Sequence, residues 1–324
     1  MNPLLELRGV TKEFSDGGLV ERFLGSTRSV TAVDDVSLEV YPGETVGIVG
    51  ESGAGKSTLA NLITQIHEPT TGTIVYDGVD TEYYLADGLK EFRQSVQMVF
   101  QTPSGSIDPR YRVGDWVEES LIVHTDMKKN ERRERVLDLL EDVGLSEEYA
   151  DHYPHELSGG QLQRVSIASA LAVEPDLILL DEPVSALDKS VQFQILKLLQ
   201  TLQEERNVSY LLISHDLRVI RELSDRVGVM YLGEMVERGD TEALFETPHH
   251  PYTESLLASI PPRNPDQDRF HNSGDPPSAT DPPSGCSFHP RCPYATEQCH
   301  AESPPLEQIA PDRSTACYHW EEIE

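Results

Sequence analysis

Residues Gly50-Glu51-Ser52-Gly53-Ala54-Gly55-Lys56-Ser57 constrain this chain more than any other segment. They fit the pattern G-x-x-x-x-G-K-[ST], with the apolar run Thr45–Val49 before them and the helix-like stretch Ser57–Gln65 after them. A strand must end, the backbone must curl and a helix must begin within that short span. Glycines allow the curl because they enter left-handed conformations at little steric cost. Successive N–H groups then face one point, and the helix N-terminus adds partial positive charge. Such a cradle suits a polyphosphate. Lys56 is expected to reach its β- and γ-phosphates, and Ser57, next to Thr58, to offer a hydroxyl to Mg²⁺. ATP and Mg²⁺ are the implied ligands.

The rest of the body suits that reading. From Leu4 to about Gly239, strand-like and helix-like stretches alternate, which predicts an α/β layered fold. Leu177–Leu180 and Tyr210–Ile213 read as buried strands, and Glu131–Val143 as an amphipathic helix. The first of these strands ends in Asp181-Glu182. Strand ends of an α/β sheet gather at one edge, so Asp181 is expected to serve Mg²⁺ and Glu182 to polarise an attacking water. The apolar runs are strand-length, well short of the roughly 18 residues of a membrane span. No basic stretch followed by an apolar one opens the sequence, so no secretory signal is expected.

Leu157-Ser158-Gly159-Gly160-Gln161 makes the pattern recognisable. With the phosphate loop, Gln101 after a strand, Asp181-Glu182, Ser185-Ala186-Leu187-Asp188 and His215 after another strand, the chain resembles the ATP-binding-cassette (ABC) subunits over most of its first 260 residues. The resemblance implies a RecA-like core with an antiparallel β subdomain and a helical subdomain carrying the signature. It also implies roles. Phe14 is similar to the aromatic that stacks on adenine, with a core phenylalanine as the alternative. Gln101 is similar to the glutamine that touches Mg²⁺ or the water, and His215 to the switch histidine at the γ-phosphate. Leu157 to Gln161 open a helix that grips ATP held by an opposite subunit, and Asp188 helps to join the two subunits.

Finer resemblance points to the oligopeptide/dipeptide importers, with nickel or another small solute as the alternative cargo. It rests on Ser106-Ile107-Asp108-Pro109-Arg110 after Gln101, on His250-Pro251-Tyr252-Thr253 with Leu256-Leu257, and on Cys286-Ser287-Phe288-His289-Pro290-Arg291-Cys292-Pro293. This kinship implies two transmembrane permease subunits, a second homologous ATP-binding subunit and, indirectly, an extracytoplasmic peptide-binding protein. It places the chain at the cytoplasmic face of the membrane. Thr102–Trp116, mixing Pro, Tyr, Arg and Trp, is expected to meet the permease. The expected organisation is an ATP-binding domain over 1–260, its helical part at about 102–165, a Pro-rich linker over 261–285 and a Cys-rich extension over 286–324.

All four cysteines, Cys286, Cys292, Cys299 and Cys317, lie in that extension. Four thiolates suit tetrahedral zinc or an iron–sulfur cluster, and the related importers point to [4Fe–4S]. Unligated thiols are the third possibility. The formal net charge of −30, from 56 acidic against 26 basic residues, repels a nucleic-acid backbone and suits a salt-rich cytoplasm. A soluble, non-transport ABC ATPase remains as the rival class. Its DNA-repair members split the cassette with a long coiled coil, which the interval between phosphate loop and signature lacks.

Overall fold

The computed structural model describes residues 2–16, 28–259 and 277–323. Most of the expected linker, 261–276, lies outside the described residues. The chain forms two compact units. One is built from Met1–Leu4, Val40–Thr45 and Val79–Ser214, the other from Leu5–Glu39, Val46–Gly78 and His215–Glu324.

In the first unit, Val96–Val99, Leu177–Asp181 and Ser209–Ser214 run parallel, with Val96 opposite Leu177 and Leu177 opposite Ser209. Every residue of Leu177–Leu180 and of Ser209–Ser214 is buried. Unbroken apolar runs of this kind are what parallel strands require when both faces are covered. Beside them, helices Val113–His124, Lys129–Asp142 and Gly159–Leu171 pack on one another. The middle one buries Val136, Leu139 and Leu140, an i, i+3, i+4 stripe, and leaves its charged residues outward. Glu131 accepts a hydrogen bond from the Lys128 N–H at 2.6 Å and so caps its start.

The second unit holds two sheets. In the antiparallel one, Leu5–Asp16 lies between Arg28–Val40 and Thr71–Tyr76. Its register runs from Leu5 opposite Tyr76 to Thr11 opposite Thr71, with an irregularity after Arg8. Leu5 and Leu7 point into the core, whereas Glu6 and Arg8 pair at the surface, the alternation of a one-faced sheet. In the other, Thr45–Val49 runs parallel to Arg226–Tyr231, and Glu234–Asp240 returns antiparallel across Leu232 and Gly233. Both turn residues have positive φ, which suits the right-handed twist of the hairpin.

The C-terminal residues extend this second sheet. Arg313–Thr315 pairs with Glu234–Asp240, Thr315 standing opposite Glu237, and Glu307–Ala310 adds a further strand. Arg313 meets Glu237 at 3.2 Å where Glu237 is fully buried. Glu237 also accepts from the N–H groups of His249 and His250. Desolvation nevertheless pushes the Glu237 pKa up against these partners. Among the described residues, no helix is long and apolar enough to cross a membrane.

His250 starts the helix Pro251–Ala258, and its Nδ1 accepts from the Tyr252 N–H at 3.1 Å. Its side chain is buried, and burial lowers its pKa from 6.5 to about 3. A proton on Nδ1 would face that same N–H. Between those two values the unfolded chain binds the proton and the folded chain does not, so stability falls as pH drops through 6.5 toward 3. We expect a loss of about 2 kcal/mol between pH 7 and pH 5 from this residue alone. His250→Asn keeps a capping acceptor and should flatten that slope in urea titrations. An unchanged slope would show that other groups set it.

Candidate functional site

The phosphate loop begins where Thr45–Val49, wholly buried, runs into Gly50. A Cβ on Gly50 would sit 2.2 Å from the Met230 carbonyl oxygen, and one on Gly55 would sit 2.1 Å from that of Ala32. Gly53 and Gly55 also have φ of 83° and 99°, the left-handed region. The turn therefore admits only glycine at these places. It feeds directly into the helix Lys56–Ile63, which buries Leu59, Ala60, Leu62 and Ile63 and exposes Ser57. Lys56 is buried, and its ammonium donates to the carbonyls of Gly50 at 2.7 Å and Glu51 at 2.9 Å. Lys56 thus stands inside the loop, where phosphate oxygens can replace those carbonyls. A glycine turn with a buried lysine, a helix start and an exposed Ser57 hydroxyl fits a nucleotide's phosphates, with Ser57 available for Mg²⁺.

Two side chains far along the sequence hold this loop. The Glu51 N–H donates to the Tyr252 hydroxyl at 2.7 Å. Arg291 donates to both Glu51 carboxylate oxygens, each at 2.9 Å. Sequence patterns did not mark Tyr252 or Arg291 as parts of the site. The only signal was their place in the His-Pro-Tyr-Thr and Phe-His-Pro-Arg-Cys segments. Phe14 is no core residue. It is 38% exposed, with His67 at its ring edge and the Lys12 ammonium 5.3 Å from its centroid. It is open to stacking on a base.

In the other unit, Asp181 closes its buried strand and is half-buried, as is Glu182. Gln101 Nε2 donates to Glu182 Oε2 at 2.7 Å, which brings two predicted residues together across 81 positions. Glu182 has φ 48°, strained for a non-glycine residue, and its N–H donates to the Ile213 carbonyl at 2.9 Å. His215 is exposed directly after the strand Ser209–Ser214.

The signature residues build their own helix start. Ser158 is the N-cap of Gly159–Leu171, its Oγ accepting from the Gln161 N–H. Gln161 Oε1 accepts from the Ser158 N–H at 2.8 Å, and its Nε2 donates to the Tyr149 hydroxyl. A Cβ on Gly160 would meet Val191 Cγ1 at 2.4 Å. Leu157 is buried, while Ser158 and Gly159 are exposed. Asp188 caps Lys189–Arg206 through Ser190 and Val191, and the Ser190 hydroxyl lowers its pKa. A cavity of about 300 Å³ lined by Leu171, Glu174, Arg206 and Asn207 includes none of these motif residues.

The four cysteines are free thiols. Burial first, and then the charge of the other thiols, raises Cys292 to about 11 and Cys317 to about 12, and Cys286 rises also. They are close enough to feel one another. Yet among the described residues no group of three or more His, Cys, Asp or Glu side chains is placed to hold a metal ion. As arranged here, the thiols do not form a ligand set, and the expected [4Fe–4S] or zinc site is not borne out by this geometry.

Similarity to known proteins follows the same lines. The ABC transporter family profile matches residues 33–185, and that of the oligopeptide/dipeptide transporter C-terminal region matches 236–299. The dipeptide transport ATP-binding protein DppF of Haemophilus influenzae is 44% identical over 98% of this chain and 97% of its own. The oligopeptide transport ATP-binding protein AppF of Bacillus subtilis is 46% identical over 97% of each. Among solved structures, the cassette MJ0796, a dimer in a post-hydrolysis state bound to ADP and Pi, has a TM-score of 0.65 and 34% identity. The match covers 73% of this chain and 98% of that one. Clostridium perfringens cbiO1, part of the ABC transporter complex cbiONQ, has a TM-score of 0.66 and 29% identity, over 76% and 92%. The chain has the P-loop cassette fold. It belongs to the ABC transporter ATPases, among the ATP-binding subunits of the dipeptide and oligopeptide branch.

Gly55 offers a direct check of the loop. Gly55→Ala places a methyl group against the Ala32 carbonyl and forces alanine into a left-handed conformation. A destabilisation of about 1–3 kcal/mol is expected, with loss of ADP binding. Unchanged melting and unchanged ADP affinity would contradict the geometry.

Proposed function

As an ATP-binding subunit of this family, the chain, we propose, hydrolyses ATP at a membrane's cytoplasmic face to energise di- and oligopeptide uptake through separate permease subunits. The peptide substrate class rests on the named relatives, DppF and AppF, whose length it spans almost entirely. The observation that carries the catalytic assignment is the 2.7 Å Gln101–Glu182 hydrogen bond at the end of a buried strand. It holds a carboxylate in one rotamer, as a general base requires.

In this reading Lys56 exchanges its loop carbonyls for β- and γ-phosphate oxygens, and Gly50 to Thr58 wrap the phosphates. Phe14 stacks on adenine. Water attacks the γ-phosphorus, the bond to the bridging oxygen breaks, and Glu182 takes the proton from the water, leaving ADP and phosphate. Gln101 orients Glu182 and the water, and His215 contacts the γ-phosphate. Ser57, Gln101 and Asp181 are the residues that would hold Mg²⁺, which neutralises phosphate charge when bound. Leu157 to Gln161 present a helix start to the nucleotide of a second ATP-binding subunit, and Asp188 lies in that contact. A related but different subunit is the proposed partner, with two permease subunits met through Thr102–Trp116 and an extracytoplasmic binding protein delivering peptide.

The proposed division is cassette 1–260, with 102–165 as its signature part, linker 261–285 and tail 286–324. The charge of −30 supports work in a salt-rich medium, where screening limits self-repulsion. For the tail, the gathering of all four cysteines between 286 and 317 supports a [4Fe–4S] site, although the thiols as placed form no ligand set. Iron analysis of anaerobically purified protein tests it. About four irons per chain support the cluster, stoichiometric zinc replaces it, and four freely titrating thiols remove both.

Glu182→Gln tests the catalytic assignment. It keeps shape and removes the base, so turnover should fall by at least about a hundredfold while ATP binding persists. Turnover near the wild-type rate would take the base role from Glu182.

A further inference from the structure

The phosphate loop carries an anion of its own. Glu51 is the second residue of a loop that must accept a polyanion, and the side-chain partner of its carboxylate lies 240 positions along the chain. That partner is Arg291. Its two terminal nitrogens each reach one Glu51 oxygen at 2.9 Å, a planar two-point match. The Arg291 side chain is only 8% exposed and that of Glu51 29%. The pair is therefore largely shielded, and its geometry is fixed from several sides.

Arg291 is itself held by an aromatic cage. Its guanidinium lies 5.8 Å from the Tyr231 ring centroid and 5.7 Å from that of Phe288. It also donates to the Tyr231 hydroxyl at 3.3 Å. Tyr231, Tyr252 and Phe288 pack together with centroids 4.6 to 5.4 Å apart, and all three are buried. Tyr252 in turn receives the Glu51 N–H. The cage thus fixes both the main chain and the side chain of Glu51. Phe288 and Arg291 lie between Cys286 and Cys292, so the cysteine-bearing segment is seated on the loop by this contact.

We propose that Arg291 is a positioning residue for nucleotide binding. By pairing with Glu51 it neutralises and holds aside the one acidic side chain of the phosphate loop, and it makes the cysteine segment a working part of the nucleotide site. The proposal rests on the reading of Gly50 to Ser57 as that site. Without Arg291, the Glu51 carboxylate faces the incoming phosphates uncompensated and the loop loses its outer brace. Tail substitutions then reach nucleotide affinity.

The test is a double-substitution cycle on the full chain, read as Mg-ADP affinity by calorimetry, with melting temperature as a second readout. Arg291→Met should weaken ADP binding about tenfold or more. Arg291→Met with Glu51→Gln should recover most of that loss, because the repelling charge is gone. Arg291→Lys should stay within about threefold of wild type, and Arg291→Gln replaces the Met variant if that one does not fold. A purely packing role lowers the melting temperature of the single and double variants alike and gives no recovery of affinity. That result, or wild-type affinity in Arg291→Met or Arg291→Gln, overturns the proposal. Lys56→Ala separates the underlying reading. If it abolishes ADP binding while Arg291→Met changes nothing, the loop assignment stands and the Arg291 role fails. If Lys56→Ala binds ADP normally, both fail.

Discussion

Backbone must approach backbone at the phosphate loop more closely than any side chain allows. The clearances at Gly50 and Gly55, 2.2 and 2.1 Å to carbonyl oxygens for a hypothetical Cβ, set this limit. A loop drawn so tightly starts a helix without a side-chain cap. Its conformation then depends on outside support. The supports are Ala32 and Met230 behind it, Tyr252 at its first N–H, and Arg291 at its carboxylate. The buried aromatic cage and the neutral, buried His250 serve this arrangement by fixing where the Tyr252 helix begins.

Several motif residues carry local structural roles of their own. Ser158 and Gln161 cap each other's backbone, Asp188 caps the helix Lys189–Arg206, and Gln101 restrains Glu182. These roles do not compete with the proposed catalytic ones. A side chain held in one rotamer by a neighbour needs little further ordering when a ligand arrives, which is how preorganisation lowers the cost of binding. The left-handed backbone at Glu182 belongs to the same economy, since strain of that kind persists only where surrounding contacts fix it.

Local pattern made much of this legible. The glycine spacing gave the phosphate loop, and unbroken apolar runs gave the strands Leu177–Asp181 and Ser209–Ser214 to within a residue. Arg/Glu pairs and apolar spacing gave a helix over Glu131–Val143, and the structure has it at Lys129–Asp142. What stayed hidden depends on distance along the chain. Glu51 and Arg291 are 240 positions apart, and Arg313 and Glu237 are 76 apart. No periodicity joins such residues, because they meet only after the second sheet is built. The cysteines were visible as a group, but spacing along the chain says nothing of whether four sulfurs converge. Here the four thiols form no ligand set.

In the proposed function, ATP hydrolysis by this chain drives peptide across a membrane. The most direct measurement of this is uptake of a labelled dipeptide into proteoliposomes. These would contain this chain with the proposed permease subunits, partner ATPase and binding protein, and ATP would be supplied on the side that carries the ATPase. Accumulation against a gradient should require both this chain and ATP, with ATP consumption rising when peptide-loaded binding protein is added. Uptake that proceeds equally without the chain, or ATP consumption indifferent to peptide and binding protein, would contradict it.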